Sequence, residues 1–260
     1  MRTLLISGGS SGIGLATASL FAERGWCVFE LSRHGKSRDG VKHIDCDVCN
    51  QDSVQKAVHE VLQQTTRLDV VISNAGFGIS GAVEFTDIAE AERQMDVNFM
   101  GAVRLTQAVL PQLRKQQSGR IIYTSSVAAI LSVPYQSFYS ASKAAINAMA
   151  LALANEIRPF GIHVSVMMPG DVSTGFTDAR CKSAAGADVY CKAEKAVTTM
   201  ERDERSGLQP EQMARLFYHI ATCHSPRPQY IGGFSYRVLC FLDRILPKRL
   251  VNWIEYKVYD

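Results

Sequence analysis

No stretch of this sequence approaches the roughly 20 uninterrupted apolar residues that a membrane-spanning helix requires, and no internal repeat or low-complexity segment is found in it. Charge of one sign is scarce too. The 28 Lys and Arg stand against 25 Asp and Glu, and a net +3 is too small for the basic footprint of a nucleic-acid binder, so no nucleic-acid partner is expected. The cysteines (Cys27, Cys46, Cys49, Cys181, Cys191, Cys223 and Cys240) are odd in number and scattered, which argues against a disulfide framework and for free thiols in a reducing, cytoplasmic setting. Cys46 and Cys49 have CxxC spacing, yet no second pair or paired histidines complete a zinc site, and no metal is expected. The apolar run Leu4, Leu5, Ile6 follows Met1 so closely that a cleavable targeting segment is not expected either.

What is present is a globular composition: 47% hydrophobic and 20% charged over 260 residues, with 19 glycines. Folding a chain of this length buries roughly three-quarters of its extended surface, so the core needs no staple. Short apolar runs at 3–7, 27–32, 42–45, 69–73, 120–125 and 163–168 read as strands. Helical periodicity separates them at 13–24, 53–64, 89–116 and 140–158. Alternating β-α units predict an α/β fold, a Rossmann-like, doubly wound parallel sheet with helices on both faces. The stretch 140–158 is apolar around most of its circumference and is expected to pack on the sheet or on a second copy, as a dimer or tetramer seam. After Pro169 and Gly170 the alternation stops, and the polar segment 171–209 reads as a substrate lid. A single domain over 1–225 and a basic amphipathic extension over 226–260 are predicted.

Two clusters carry chemistry. Ser7, Gly8, Gly9, Ser10, Ser11, Gly12, Ile13 and Gly14 lie where the first strand turns into a helix N-terminus. Glycines there let the backbone approach a diphosphate whose charge the helix dipole favours, although a tight structural turn uses the same residues. Tyr139 and Lys143 stand one helical turn apart, on one face. An ammonium beside a phenol favours the phenolate, which predicts a tyrosine pKa lowered from its usual value near 10. Thr124, Ser125 and Ser126 end a candidate strand at the edge where open α/β sheets bind ligands.

With these residues in place the sequence resembles the short-chain dehydrogenase/reductase family, over nearly the whole chain to about residue 176. Ser7 stands where the family glycine motif has threonine, and Ser73 where Asn-Asn-Ala-Gly has its first asparagine, ahead of Asn74, Ala75 and Gly76. The resemblance implies that Tyr139 is the general acid or base, that Lys143 lowers its pKa and holds the nicotinamide ribose, and that Ser126 hydrogen-bonds the substrate oxygen. It gives Asn98 a water that relays protons to Lys143. Pro169, Gly170, Val172 and Thr174 would contact the nicotinamide, and Asp47 and Val48 would lie beside the adenine. The family's NAD-selecting aspartate falls on Ser32 and its phosphate-binding arginine on Arg33, so NADP(H) is favoured as cofactor. Glu30, two residues earlier, keeps NAD(H) open; its bland reading is a solvent-facing or edge carboxylate.

Among members of the family the loops resemble hydroxysteroid dehydrogenases, retinal reductases and ketosphinganine reductases, which implies a lipophilic ketone or alcohol as substrate. A small or acyl-carrier-bound ketone is the alternative within enzymes, and an idle NADP-binding sensor the alternative outside them. The extension adds an independent signal. It holds six basic residues (Arg227, Arg237, Arg244, Lys248, Arg249, Lys257) and three acidic ones (Asp243, Glu255, Asp260), leaving 22 of each sign elsewhere. With Phe241, Trp253 and Tyr256 among leucines, it reads either as a peripheral membrane contact or as a helix covering the pocket or another subunit.

Overall fold

The computed structural model describes residues 1–259. Seven parallel strands form the main sheet: β1 (Thr3–Ser7), β2 (Cys27–Ser32), β3 (Val41–Asp45), β4 (Val70–Ser73), β6 (Gly119–Thr124), β7 (Ile162–Pro169) and β9 (Gln229–Gly232). Their order is β3-β2-β1-β4-β6-β7-β9, with parallel pairing throughout. The chain leaves β1 toward β2 and β3, then returns to place β4 on the other side of β1. That reversal opens a crevice at the carboxyl ends of β1 and β4, where ligands bind in such sheets.

The two-residue alternation of the strands sends side chains to opposite layers. Leu5, Phe29, Val71 and Ile121 pack under α2 (Gln51–Gln64), α4 (Gly101–Gln116) and α5 (Ser137–Glu156). Leu4, Ile6, Val28 and Ile72 pack under α1 (Gly12–Glu23) and α7 (Pro210–Thr222), whose Phe21 and Phe217 are fully buried. Each such phenyl contributes about 1.5–3 kcal/mol by leaving water.

Between β4 and α4 lie the two-residue strand β5 (Ile79–Ser80) and α3 (Ile88–Met95). The helix predicted over 89–116 is interrupted by a π turn, Asp96–Met100, the kind of local widening that often serves a functional site. β5 pairs with β8 (Cys181–Lys182), which together with α6 (Ala193–Arg205) builds the segment read as a lid. The predicted boundary at residue 226 is corrected, because β9 lies beyond it and hydrogen-bonds along β7, burying Gly232. The helical tail begins only at α8 (Phe234–Ile245) and continues as α9 (Lys248–Tyr259). No described helix is long and apolar enough to cross a membrane.

Candidate active site

β1 ends at Ser7, whose hydroxyl accepts hydrogen bonds from the Asn74 and Ala75 amides at 3.0 and 3.2 Å. This serine joins the ends of β1 and β4. Asn74 extends the bridge, its amide donating to the Gly8 carbonyl and its Oδ1 accepting from Thr124 at the end of β6. Gly8 and Gly12 have φ of 67° and 51°, a left-handed backbone that favours glycine. A methyl on Gly9 would lie 2.7 Å from Glu30 Cβ, and one on Gly14 would overlap the Gly8 carbonyl oxygen. The turn into α1 is therefore a close-walled cradle. Ser11 caps α1 with extended backbone and no side-chain bond, and the first turn carries no carboxylate, which suits an anion.

A cleft of about 500 Å³ opens from this turn. Gly8, Ser11, Gly12 and Ile13 line one end, with Asn74, Ala75 and Gly76 beside them. Ser126, Tyr139 and Lys143 line it too, as do Pro169, Gly170, Val172 and Thr174, and a methyl on Gly12 would lie 3.4 Å from Thr174 Cβ. Gly9, Ser10 and Gly14 shape the turn from outside that lining. Ser32, half-buried, and Arg33, exposed, lie beyond it at the end of β2, as do the half-buried Asp47 and Val48 after β3.

Tyr139 sits in the first turn of α5 and faces the same cleft as Ser126. Lys143 Nζ lies 5.7 Å from the centre of its ring and donates to the Thr124 carbonyl at 2.9 Å. The lowered tyrosine pKa is corrected here. Burial pushes Tyr139 up to about 12 against the pull of Ser126, and the same burial brings Lys143 down to about 8. A protein wall penalises the charged form of each, so at neutral pH Tyr139 holds its proton. Asn98, 1% exposed in the π turn, accepts from the Phe77 amide and donates to the Phe77 carbonyl and to Ser142, each at 3.0 Å. Its side chain thus clamps the loop after β4 against α5.

Glu30 is neither solvent-facing nor an edge carboxylate. It is fully buried, with Oε1 2.5 Å from His43 Nδ1 and 3.3 Å from Ser32 Oγ, while Oε2 has no hydrogen-bond partner among the described residues. His43 also reaches Asp45 at 3.0 Å. Burial alone would lower the imidazole's pKa, but the bonds and charges of Asp45 and Glu30 outweigh it and raise it. Cys46 and Cys49 are free thiols pushed up by burial to about 11 and 12, in the unreactive range.

The cleft is also lined by side chains that belong to no motif. Asp171, Asp203 and Glu204 line it, as do Phe176, Met200 and Tyr259 from the last turn of α9. Asp171 accepts a short hydrogen bond from Tyr236, and Gly170 leaves room for that ring. Glu204 accepts from Thr177 at 2.7 Å and pairs with the buried Arg180. Burial raises the Asp171 pKa, with Tyr236 opposing and the charges of Glu204 and Asp203 adding.

A model of the short chain dehydrogenases matches residues 2–184. The chain belongs to that family. It is 40% identical over 232 residues, 86% of this chain and 85% of the other, to a 3-ketodihydrosphingosine reductase of Bacteroides thetaiotaomicron. It is 35% identical over 190 residues to bovine (Bos taurus) retinol dehydrogenase 8, covering 67% of this chain and 60% of that one. A short-chain dehydrogenase from Streptomyces avermitilis superposes with a TM-score of 0.84 at 28% identity, covering 98% and 97% of the two chains. This short-chain dehydrogenase is an oxidoreductase of the carbonyl/alcohol pair, close to lipid-ketone reductases.

Proposed function

We propose that this protein is an NADP-dependent reductase of a lipophilic ketone, and that its substrate is a long-chain 2-amino ketone. The observation that carries the reading is the carboxylates on the cleft wall: Asp171, Asp203 and Glu204 line it, the last two with their arginine partners, Arg202 and Arg180, outside the lining. An ammonium beside the reacting carbonyl fits those carboxylates, and an alkyl chain fits Phe176, Met200 and Tyr259. The ketodihydrosphingosine named in the bacterial relative is a long-chain amino ketone. An idle sensor has no use for a protonated Tyr139 and a buried Lys143 facing one cleft.

The cradle of Gly8, Gly9, Gly12 and Gly14 fits a dinucleotide diphosphate, since added methyls at Gly9 and Gly14 would collide with the chain itself. When bound, the nicotinamide supplies hydride to the carbonyl carbon. Tyr139, protonated because it is buried, donates its proton to the carbonyl oxygen, and Ser126 holds that oxygen as charge develops. Lys143 would hold the nicotinamide ribose, and Asn98 acts by fixing Phe77 and Ser142 and hence the loop after β4. In the alcohol-oxidising direction Tyr139 becomes the base. Ser32 and Arg33 would receive the adenosine 2′-phosphate, and Asp47 and Val48 the adenine. The engagement of Glu30 with His43 supports NADP, because that carboxylate oxygen is already taken. The unpartnered Oε2 beneath Gly9 favours NAD as the second reading.

The test compares a long-chain 2-amino ketone with its N-acetylated form. Removing the ammonium should raise KM at least tenfold with little change in kcat, and Asp203→Asn should narrow the difference. Equal KM for both forms refutes the amino-ketone assignment while leaving the carbonyl chemistry standing.

A further inference from the structure

α8 and α9 pack on the body of the protein by one stripe and turn a second, apolar stripe to the outside. In α8 the buried residues are Cys240 and Asp243. Phe234, Val238, Phe241 and Ile245 recur at spacings of four, three and four, which puts them on one face opposite the buried stripe. They are 80%, 42%, 61% and 59% exposed. α9 repeats the arrangement, burying Val251 and leaving Leu250, Trp253 and Ile254 outside. A soluble helix carries polar residues there; here large apolar groups fill the face on two consecutive helices.

The fully exposed charges on these helices have one sign. Arg237, Arg244 and Arg249 are exposed. The two carboxylates of the described tail are withdrawn, Asp243 buried in an ion pair with Lys248 and Glu255 half-buried. Aromatic and aliphatic side chains flanked by arginines, with no fully exposed carboxylate among the described residues of these helices, match the boundary of an anionic bilayer, where acyl chains meet acidic headgroups. The last turn of α9 also places Tyr259 in the lining of the substrate cleft, so the apolar helix ends at the cleft itself.

We infer that the outward faces of α8 and α9 dock this protein on an anionic lipid surface, with the substrate cleft beside the bilayer. The docking goes beyond the proposed reaction, and its test does not depend on turnover. The chain has two tryptophans, of which Trp26 is buried and Trp253 is 58% exposed, so a fluorescence change on lipid reports Trp253. Phosphatidylcholine vesicles containing phosphatidylglycerol should shift the emission to the blue and carry the full-length protein down on centrifugation, whereas phosphatidylcholine alone should do so weakly. Trp253→Phe should remove the shift. Arg244→Gln with Arg249→Gln should weaken binding about 30-fold, from the usual strength of a basic residue near an acidic surface. Phe241→Glu, at an exposed site, should abolish binding while the thermal transition stays in place. Protein that stays in solution with acidic vesicles overturns the inference, as does a dimer that Phe241→Glu dissociates, since a second copy then covers this face. Vesicle binding unaffected by the double arginine variant overturns it as well.

Discussion

Lys143→Met should make the protein more stable while removing its activity. Lys143 is 4% exposed, and burial holds its pKa at about 8 rather than the ordinary 10.5. Below pH 8 the folded protein therefore carries an ammonium in a place that disfavours it, at a cost of ~3 kcal/mol for a shift of this size. Its bond to the Thr124 carbonyl, 2.9 Å long, recovers about 1 kcal/mol that the variant forfeits. The net gain is ~2 kcal/mol, or roughly 4–8 °C in Tm for a chain of this size. The gain has a pH signature. Between pH 8 and 10.5 the unfolded chain binds this proton and the folded one does not, so wild-type stability rises with pH and the variant's advantage fades; above 10.5 it is gone. Paired melts of wild type and variant at pH 7, 9 and 10.5, without cofactor, measure it. A variant less stable at pH 7 by the ~3–5 kcal/mol expected for a broken structural ion pair, with no convergence at high pH, would refute the reasoning.

Other consequences follow from the glycine turn and from the end of β2. Gly14→Ala should abolish dinucleotide binding by calorimetry and cost about 1–3 kcal/mol of stability, because its methyl meets the Gly8 carbonyl. Arg33→Ala should raise KM for NADPH roughly tenfold or more and leave NADH unchanged, reflecting one lost charge-assisted contact; equal effects on both cofactors would count against a 2′-phosphate at this residue. The folded pKa of His43 is raised, so its stabilisation is complete below pH 6.5 and is lost as pH rises through the folded value. Urea midpoints at pH 6 and 9 should show that step, and His43→Gln should flatten it.

Much of this fold was readable along the chain because β-α repetition is a local pattern. The six strands expected up to residue 170 are present within one or two residues of their predicted ends. β9 escaped because Gln229–Gly232 is four residues long, half exposed, and sits at the sheet edge after Pro226 and Pro228, where composition reads as a linker. Within the site, Tyr139, Lys143, Ser126 and the glycine turn announce themselves by spacing. Asp203, Glu204 and Tyr259 do not, since they reach the cleft from the lid and the tail and share no periodicity with the motifs. Glu30 was misjudged because alternation gives a strand residue its side of the sheet, but nothing local says that His43, thirteen residues on, lies there to hold it. The tyrosine pKa was misjudged for a related reason. One-turn spacing brings Lys143 near Tyr139, yet the direction of the shift depends on how much protein surrounds both. In the tail, periodicity reveals an amphipathic helix but not which stripe packs inward.

The most direct test of the central claim is NADPH oxidation by the purified protein with a long-chain 2-amino ketone, a keto-steroid, retinal and a short ketone, each repeated with NADH and with Tyr139→Phe. The account predicts turnover on the lipophilic ketones, strongest on the amino ketone, with NADPH preferred and a loss of about 100-fold or more in the variant. Tight NADPH binding with no turnover on any of them, or turnover that survives Tyr139→Phe, would contradict it.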